Sequence, residues 1–134
     1  MAAAEAGPVG PVRPVDPFDL PEWLGLGEVT WRALTSVRES PRVTGELSDG
    51  ADVLGCDLLA ADVAFPRPVL GERWRHDAHQ AWSYGQVLLV EYDGRLTLAV
   101  PGTRFTADDA LETLARLAKA VGVQPERFSV TLRL

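Results

Sequence analysis

The two histidines are the first residues whose type and spacing could do chemistry. His76 and His79 stand three residues apart in a helical pattern and are weak candidates for a shared metal site. With about 100° per residue, both point away from the apolar stripe of that helix, so a solvated polar face is the simpler interpretation. A zinc site also needs more ligands, and the nearest candidates are Asp77 and Cys56. We therefore predict no bound metal.

Cys56 is the single cysteine, and it carries the alternative that the protein is an enzyme. A thiol beside His76 or His79 would pair a nucleophile with a base. The pattern around Cys56 is a strand, not a helix N-terminus where the thiol pKa would fall, and cysteine is among the most buried residue types. The sequence favours a core thiol, and the alternative is a small enzyme or metal-binding protein that uses Cys56 with a histidine.

Composition and motifs exclude several classes of function. The chain has 134 residues, with 13 basic against 19 acidic side chains, and the net charge of −6 lacks the basic footprint that binds nucleic acid or anionic membranes. No phosphate-binding, dinucleotide-binding, serine-hydrolase or zinc-protease motif occurs. We predict a protein without enzymatic activity or cofactor, and with neither nucleic acid nor membrane as a partner.

The residue composition indicates the cellular compartment of the protein and the kind of genome that encodes it. One cysteine cannot form an internal disulfide, and the N-terminus lacks the basic and apolar regions of a signal peptide, so we expect a soluble protein in the cytoplasm. The chain has twelve Arg, one Lys, and no Ile or Asn, which indicates a GC-rich bacterial genome.

Aromatic side chains are the remaining candidates for function. The chain holds four tryptophans, and Trp is enriched among the residues that dominate binding energy at interfaces. We take Trp23, Trp82 and Tyr84 as candidate contacts with a protein partner. Core packing is the alternative for each tryptophan.

These residues have to be positioned by a domain that follows a proline-rich tail. Pro8, Pro11, Pro14 and Pro17 recur every third residue, a spacing that suits polyproline II and forbids a helix. The prediction is a flexible tail over residues 1–16 and a single domain over 17–134. A short helix is expected between Asp16 and Gly25.

The domain pattern alternates hairpins and helices. The Asp93-Gly94 pair between two apolar runs predicts a type I′ hairpin, while Thr106 and Gly122 are typical helix caps. The predicted strands cover 28–38, 42–47, 53–64, 87–92, 95–100 and 128–134, and the predicted long helices cover 70–84 and 106–122. This order predicts an α+β fold with a mainly antiparallel sheet of about six strands and two long helices on one face.

Residues 68–122 carry a resemblance. The helix Glu72–Tyr84, the Val87–Val100 hairpin and the Thr106-capped helix follow three strands and a first helix. This order, α-β-β-β-α-β-β-α, resembles the YbjN-like family and the wider secretion-chaperone-like fold. The resemblance implies a non-enzymatic, often dimeric module that binds another polypeptide.

The prediction for function is therefore a protein-interaction module, either chaperone-like or a regulatory adaptor, that binds a polypeptide through apolar and aromatic anchors. A second alternative is an oligomeric structural protein. In that case the copies join through the Phe128–Leu134 strand or through the helix faces, and a homodimer is the simplest form.

Overall fold

The computed structural model describes residues 12–39, 41–63 and 67–134. Within these ranges, eight strands form one mixed sheet that packs against two α-helices. The strands are β1 Arg13–Pro14, β2 Val29–Ala33, β3 Arg42–Val43, β4 Gly45–Ser48, β5 Val53–Ala60, β6 Leu88–Tyr92, β7 Arg95–Val100 and β8 Phe128–Thr131. The α-helices are α1 Glu72–Ser83 and α2 Ala107–Val121, and 3-10 turns cover Pro17–Asp19, Glu22–Gly25 and Pro125–Arg127.

The strand order differs from the order along the chain. The sheet runs β1-β6-β7-β5-β4-β2-β8, and β3 pairs with β5 beside β4. Most neighbours are antiparallel, but β5 and β7 are parallel, and so are β2 and β8. The two-residue strand β1 lies at one edge of the sheet and β8 lies at the other.

The predicted sheet of about six antiparallel strands is wrong. Both parallel pairs join strands that are far apart in sequence, and alternation within a single strand carries no information about such a partner. The parallel neighbours β5 and β7 are linked by α1 and β6, and a crossover of this length is what parallel pairing requires.

The placement of both long helices on one face is also wrong. Successive side chains of a strand point to opposite faces, and here neighbouring residues enter different core clusters. One cluster joins Ala78 of α1 to the strand residues Leu59, Val90 and Ala99. The other joins Leu114 of α2 to the strand residues Leu58, Leu89 and Leu98. The two helices therefore cover opposite faces of the central strands.

Several local predictions are confirmed. The β6–β7 turn has positive φ at both central residues, 58° at Asp93 and 73° at Gly94, as a type I′ turn requires. At the start of α2, the Thr106 hydroxyl accepts from the backbone N–H of Asp109 at 3.0 Å, and the helix ends at Gly122 with φ of 81°.

The region before β2 is less helical than predicted. Two 3-10 turns replace the single short helix, because Pro21 has no backbone N–H to continue the first turn. Residues 1–11 of the predicted tail lie outside the described residues, while Arg13 and Pro14 pair with β6. Neither α-helix in the described ranges has the length and apolarity to cross a membrane.

Candidate functional site

The structure does not bring Cys56 and the histidines together. Cys56 is fully buried in the cluster beneath α2, whereas α1, which carries both histidines, lies on the opposite face of the sheet. Burial raises the pKa of the Cys56 thiol well above its ordinary value, so the thiol stays protonated. This arrangement separates the nucleophile from its expected base.

The histidines lie on the exposed side of α1. His76 is exposed, and the Nε2 atom of His79 lies 2.7 Å from Oδ1 of Asp62. The other Asp62 oxygen accepts from the backbone N–H of Gly102 at 2.7 Å. The pair thus links α1 to the ends of two central strands. Across the described ranges, no group of three or more His, Cys, Asp and Glu side chains is placed to hold a metal ion.

A buried ion cluster, centred on Asp57, is the feature that sequence reasoning missed. The Asp57 side chain on β5 is completely buried, and its Oδ2 accepts from Nη2 of Arg42 at 2.7 Å and from Nε of Arg95 at 2.9 Å. Nη2 of Arg95 donates to the other Asp57 oxygen at 2.9 Å. Arg42 also donates to Asp93 at 2.9 Å and stacks over the Tyr92 ring at 5.1 Å. The sequence signal for this cluster was an aspartate inside an apolar strand.

The electrostatics of the ion cluster keep both guanidinium groups charged. Burial alone would lower the pKa of Arg42, but its hydrogen bonds to Asp57 and Asp93 outweigh that effect and raise the pKa. The hydrogen bond to Asp57 likewise raises the pKa of Arg95. Two arginines and two aspartates cancel in charge, so the cluster is internally balanced.

The ion cluster also completes an interrupted strand pairing. Strands β3 and β4 both pair with β5 in the same antiparallel alignment, so they would form one continuous ladder. This ladder is interrupted at Cys56 and Asp57, which have no partner in β3 or β4. There, the Gly45 N–H donates to Asp57 at 3.2 Å, and the Gly45 carbonyl accepts from Arg95 at 2.8 Å. Nε1 of Trp31 donates to the Cys56 carbonyl at 2.9 Å. Side chains therefore satisfy backbone groups that a continuous ladder would have paired.

Two glycines make room for these side chains. A Cβ atom at Gly45 would overlap the Trp31 ring, and one at Gly55 would lie 2.6 Å from Cζ of Arg95. At either position the added carbon atom would lie too close to a carbon atom to which it is not bonded. Trp31, which is not among our candidate contacts, is completely buried and is a central core residue.

The predicted partner contacts fall in different environments. Trp23 is partly buried and packs against the main core cluster. Trp82 is also partly buried there, and the guanidinium of Arg116 stacks on its ring at 3.5 Å. Tyr84, the residue that follows the end of α1, is 73% exposed. The structure therefore does not bring the three residues together as one surface.

Tyr84 belongs to a surface groove, which we call the aromatic groove. The groove has a volume of about 630 Å³ and lies between the segment Pro14–Phe18, the end of α1 with its following loop, and α2. Phe18, which we did not predict as a contact, also lines it and is 95% exposed. On the α2 side, Lys119 and Ala120 line the groove. The exposure of this large apolar ring is a signal that only the folded chain reveals.

The walls of the aromatic groove are held by side-chain to backbone bonds. Nη1 of Arg116 donates to the carbonyls of Trp82 at 2.9 Å and of Gln86 at 2.8 Å, and Nη2 pairs with Glu112 at 2.6 Å. Arg116 thus fixes the loop after α1 against α2. Groove and wall are formed before any partner arrives, which lowers the entropy cost of binding.

Comparisons with known proteins give no relative: no family model, no curated protein and no solved structure matches the chain. The resemblance to the YbjN-like family stays a prediction. Function must therefore be argued from the geometry of this chain.

Proposed function

We propose that the protein binds a polypeptide partner at the aromatic groove and acts as an interaction module. The observation that carries the proposal is the pair of large aromatic rings, Phe18 and Tyr84, that line one preformed groove and remain exposed by 95% and 73%. Aromatic rings supply large contact area at low conformational cost and are frequent anchors in interfaces.

A polypeptide fits the groove better than a small polar molecule. The walls combine apolar side chains with polar groups such as Gln86, a mixture that suits both the side chains and the backbone amides of a peptide. The cation Arg116 already pairs with Glu112 and two carbonyl oxygens. Lys119 is an exposed cation at the rim, and it favours a partner with an acidic group beside its apolar anchor. We place this binding in the cytoplasm, because the chain has a single cysteine.

Site-specific photo-crosslinking in cells of the source organism tests the proposal. The photoreactive residue p-benzoylphenylalanine replaces Tyr84 in the full chain, and ultraviolet light links it to whatever occupies the groove. We expect a discrete adduct with another polypeptide, and we expect Phe18→Ala to reduce its yield because one anchor is lost.

The matched control carries the same photoreactive residue at Val53, an exposed apolar position on β5. This position should give no discrete adduct. The same adducts from both positions, or none from position 84, would refute binding at the aromatic groove.

A further inference from the structure

The edge strand β8 leaves one row of backbone groups open within the described ranges. It is the last strand of the sheet and pairs on its inner side with β2. The carbonyl of Arg133, just past β8, accepts from the backbone N–H of Val37 at 2.8 Å on that inner side. Backbone groups of successive extended residues point to alternate edges, so Ser129 and Thr131 face β2 and Val130 faces outward. An open row of this kind accepts another extended chain.

An apolar groove lies directly beside this open row, between β8 and α2. We call it the edge groove. Its volume is about 430 Å³, and its lining includes Leu111, Lys119, Phe128 and Val130. Leu111 is 45% exposed although it points along the apolar side of α2. The apolar face of α2 is therefore not fully covered by β8, which leaves space for one more strand beneath the helix.

The charges around the edge groove indicate which kind of polypeptide would bind there. Lys119 is the charged residue among those that line it, and Arg127 directly precedes β8. Arg133 follows β8, and its Nη1 donates to the carbonyl of Leu34, just past β2, at 2.7 Å. Residues 119–133 hold three basic side chains against one acidic side chain, Glu126, in a chain whose net charge is −6. A strand with acidic residues would be attracted here, and it would find apolar space for its inward side chains.

A second copy of this chain fits less well. In an antiparallel pairing of two β8 strands centred on Val130, Arg127 of one copy stands opposite Arg133 of the other. Like charges directly opposite each other destabilise a strand pair. A basic edge is also a common device against self-pairing.

We propose that the edge groove binds an acidic, extended segment of a partner polypeptide, which adds to β8 as a new edge strand. The backbone of the segment pairs with the outward groups of Val130, and alternate apolar side chains enter the groove under Leu111. The acidic side chains meet Lys119 and Arg127. This site is separate from the aromatic groove and lies on the other side of Lys119, which lines both.

A phage-displayed library of random linear peptides, selected on the full chain, tests this proposal. We expect enriched peptides to alternate apolar residues with Asp or Glu. An enriched peptide, made synthetically, should protect the Val130 amide from hydrogen exchange and bind more weakly as salt is raised. Val130→Pro removes the outward N–H while keeping the inner bonds to β2, and it should weaken binding about tenfold or more.

Leu111→Asp is the second variant, because it places a negative charge in the edge groove without touching β8. It should weaken binding by a similar factor. If circular dichroism shows that Val130→Pro does not fold, the result for Leu111→Asp tests the proposal instead. Val53→Asp and Phe18→Ala are the controls and should leave affinity unchanged.

Three results overturn the proposal. These are a selection that enriches no acidic alternating peptide, affinity unchanged by Leu111→Asp, or an unprotected Val130 amide. Loss of affinity with Phe18→Ala would instead place the peptide in the aromatic groove, so failure here is distinguishable from failure of the proposed function.

Discussion

The ion cluster around Asp57 and the aromatic groove differ in how completely their side chains are engaged. Asp57 is fully buried, and its two oxygens accept five hydrogen bonds, four from Arg42 and Arg95 and one from the backbone. Phe18 and Tyr84, by contrast, line a groove and remain largely exposed. The charged groups of the ion cluster are committed to the fold, whereas the two aromatic rings are exposed to solvent.

This difference shows that a cluster of charged side chains is weak evidence of catalysis when the side chains are already paired with one another. The ion cluster replaces missing strand pairing between Gly45 and Cys56, so its role is to hold the sheet. The rings of Phe18 and Tyr84, by contrast, belong to neither core cluster of the described residues. The two regions should therefore respond differently to substitution.

The largest expected effect is that of Asp57→Ala. It leaves two guanidinium groups at a partly buried site without their shared partner. Because both arginines are partly exposed, we expect a loss of about 3 kcal/mol in the free energy of unfolding, at the low end for a broken buried ion pair. Urea unfolding followed by circular dichroism measures it.

The matched control is Asp93→Asn, which removes the charge of the exposed partner of Arg42 and keeps a residue type that tolerates the positive φ of this turn. It should cost no more than about 1 kcal/mol, as exposed ion pairs do. Equal losses from the two variants would mean that Asp57 does not hold the sheet together.

The next effect in size is that of Gly45→Ala. The added methyl group overlaps the Trp31 ring, which is buried and hydrogen-bonded, so the ring must move. We expect a loss of about 2 to 3 kcal/mol, typical of overpacking a core, together with a change in Trp31 fluorescence. Gly27→Ala, where the new atom meets nothing within 4 Å, should be almost silent. A silent Gly45→Ala would contradict the close contact.

A smaller effect concerns the Cys56 thiol and depends on pH. Burial raises its pKa in the folded chain, so as pH rises the unfolded chain loses this proton first and stability falls. With an unfolded thiol pKa of about 8.5, the wild type should lose about 2 kcal/mol more than Cys56→Ala between pH 7 and pH 10. Parallel pH profiles of the two proteins would indicate an accessible thiol and would restore the enzyme alternative.

Local parts of the fold could be predicted from sequence because their signals are local. The Asp93-Gly94 turn and the caps of α2 depend on residues within a few positions of one another, and each was placed correctly. The parallel pairing of β2 with β8 joins the two ends of the domain. No alternation pattern reports such a partner.

The candidate site was predicted only in part for a related reason. Tyr84 lies in the aromatic groove, but Phe18 joins it only when the N-terminal segment packs beside α2. Arg42 and Arg95 are 53 positions apart in sequence and meet at Asp57 because β3 and β7 flank the same strand. The exposure of Phe18 and the meeting of Arg42 with Arg95 are therefore properties of the folded chain, which a sequence pattern does not report.

The most direct measurement compares binding with stability in one double variant, Phe18→Ala with Tyr84→Ala. The photoreactive residue is placed at Ala120, which also lines the aromatic groove, and the yield of partner adduct is measured beside the free energy of unfolding. We predict that the yield falls about tenfold or more while stability changes by less than about 0.5 kcal/mol, as for surface positions. An undiminished adduct, or a loss of stability that parallels the loss of adduct, would contradict the account.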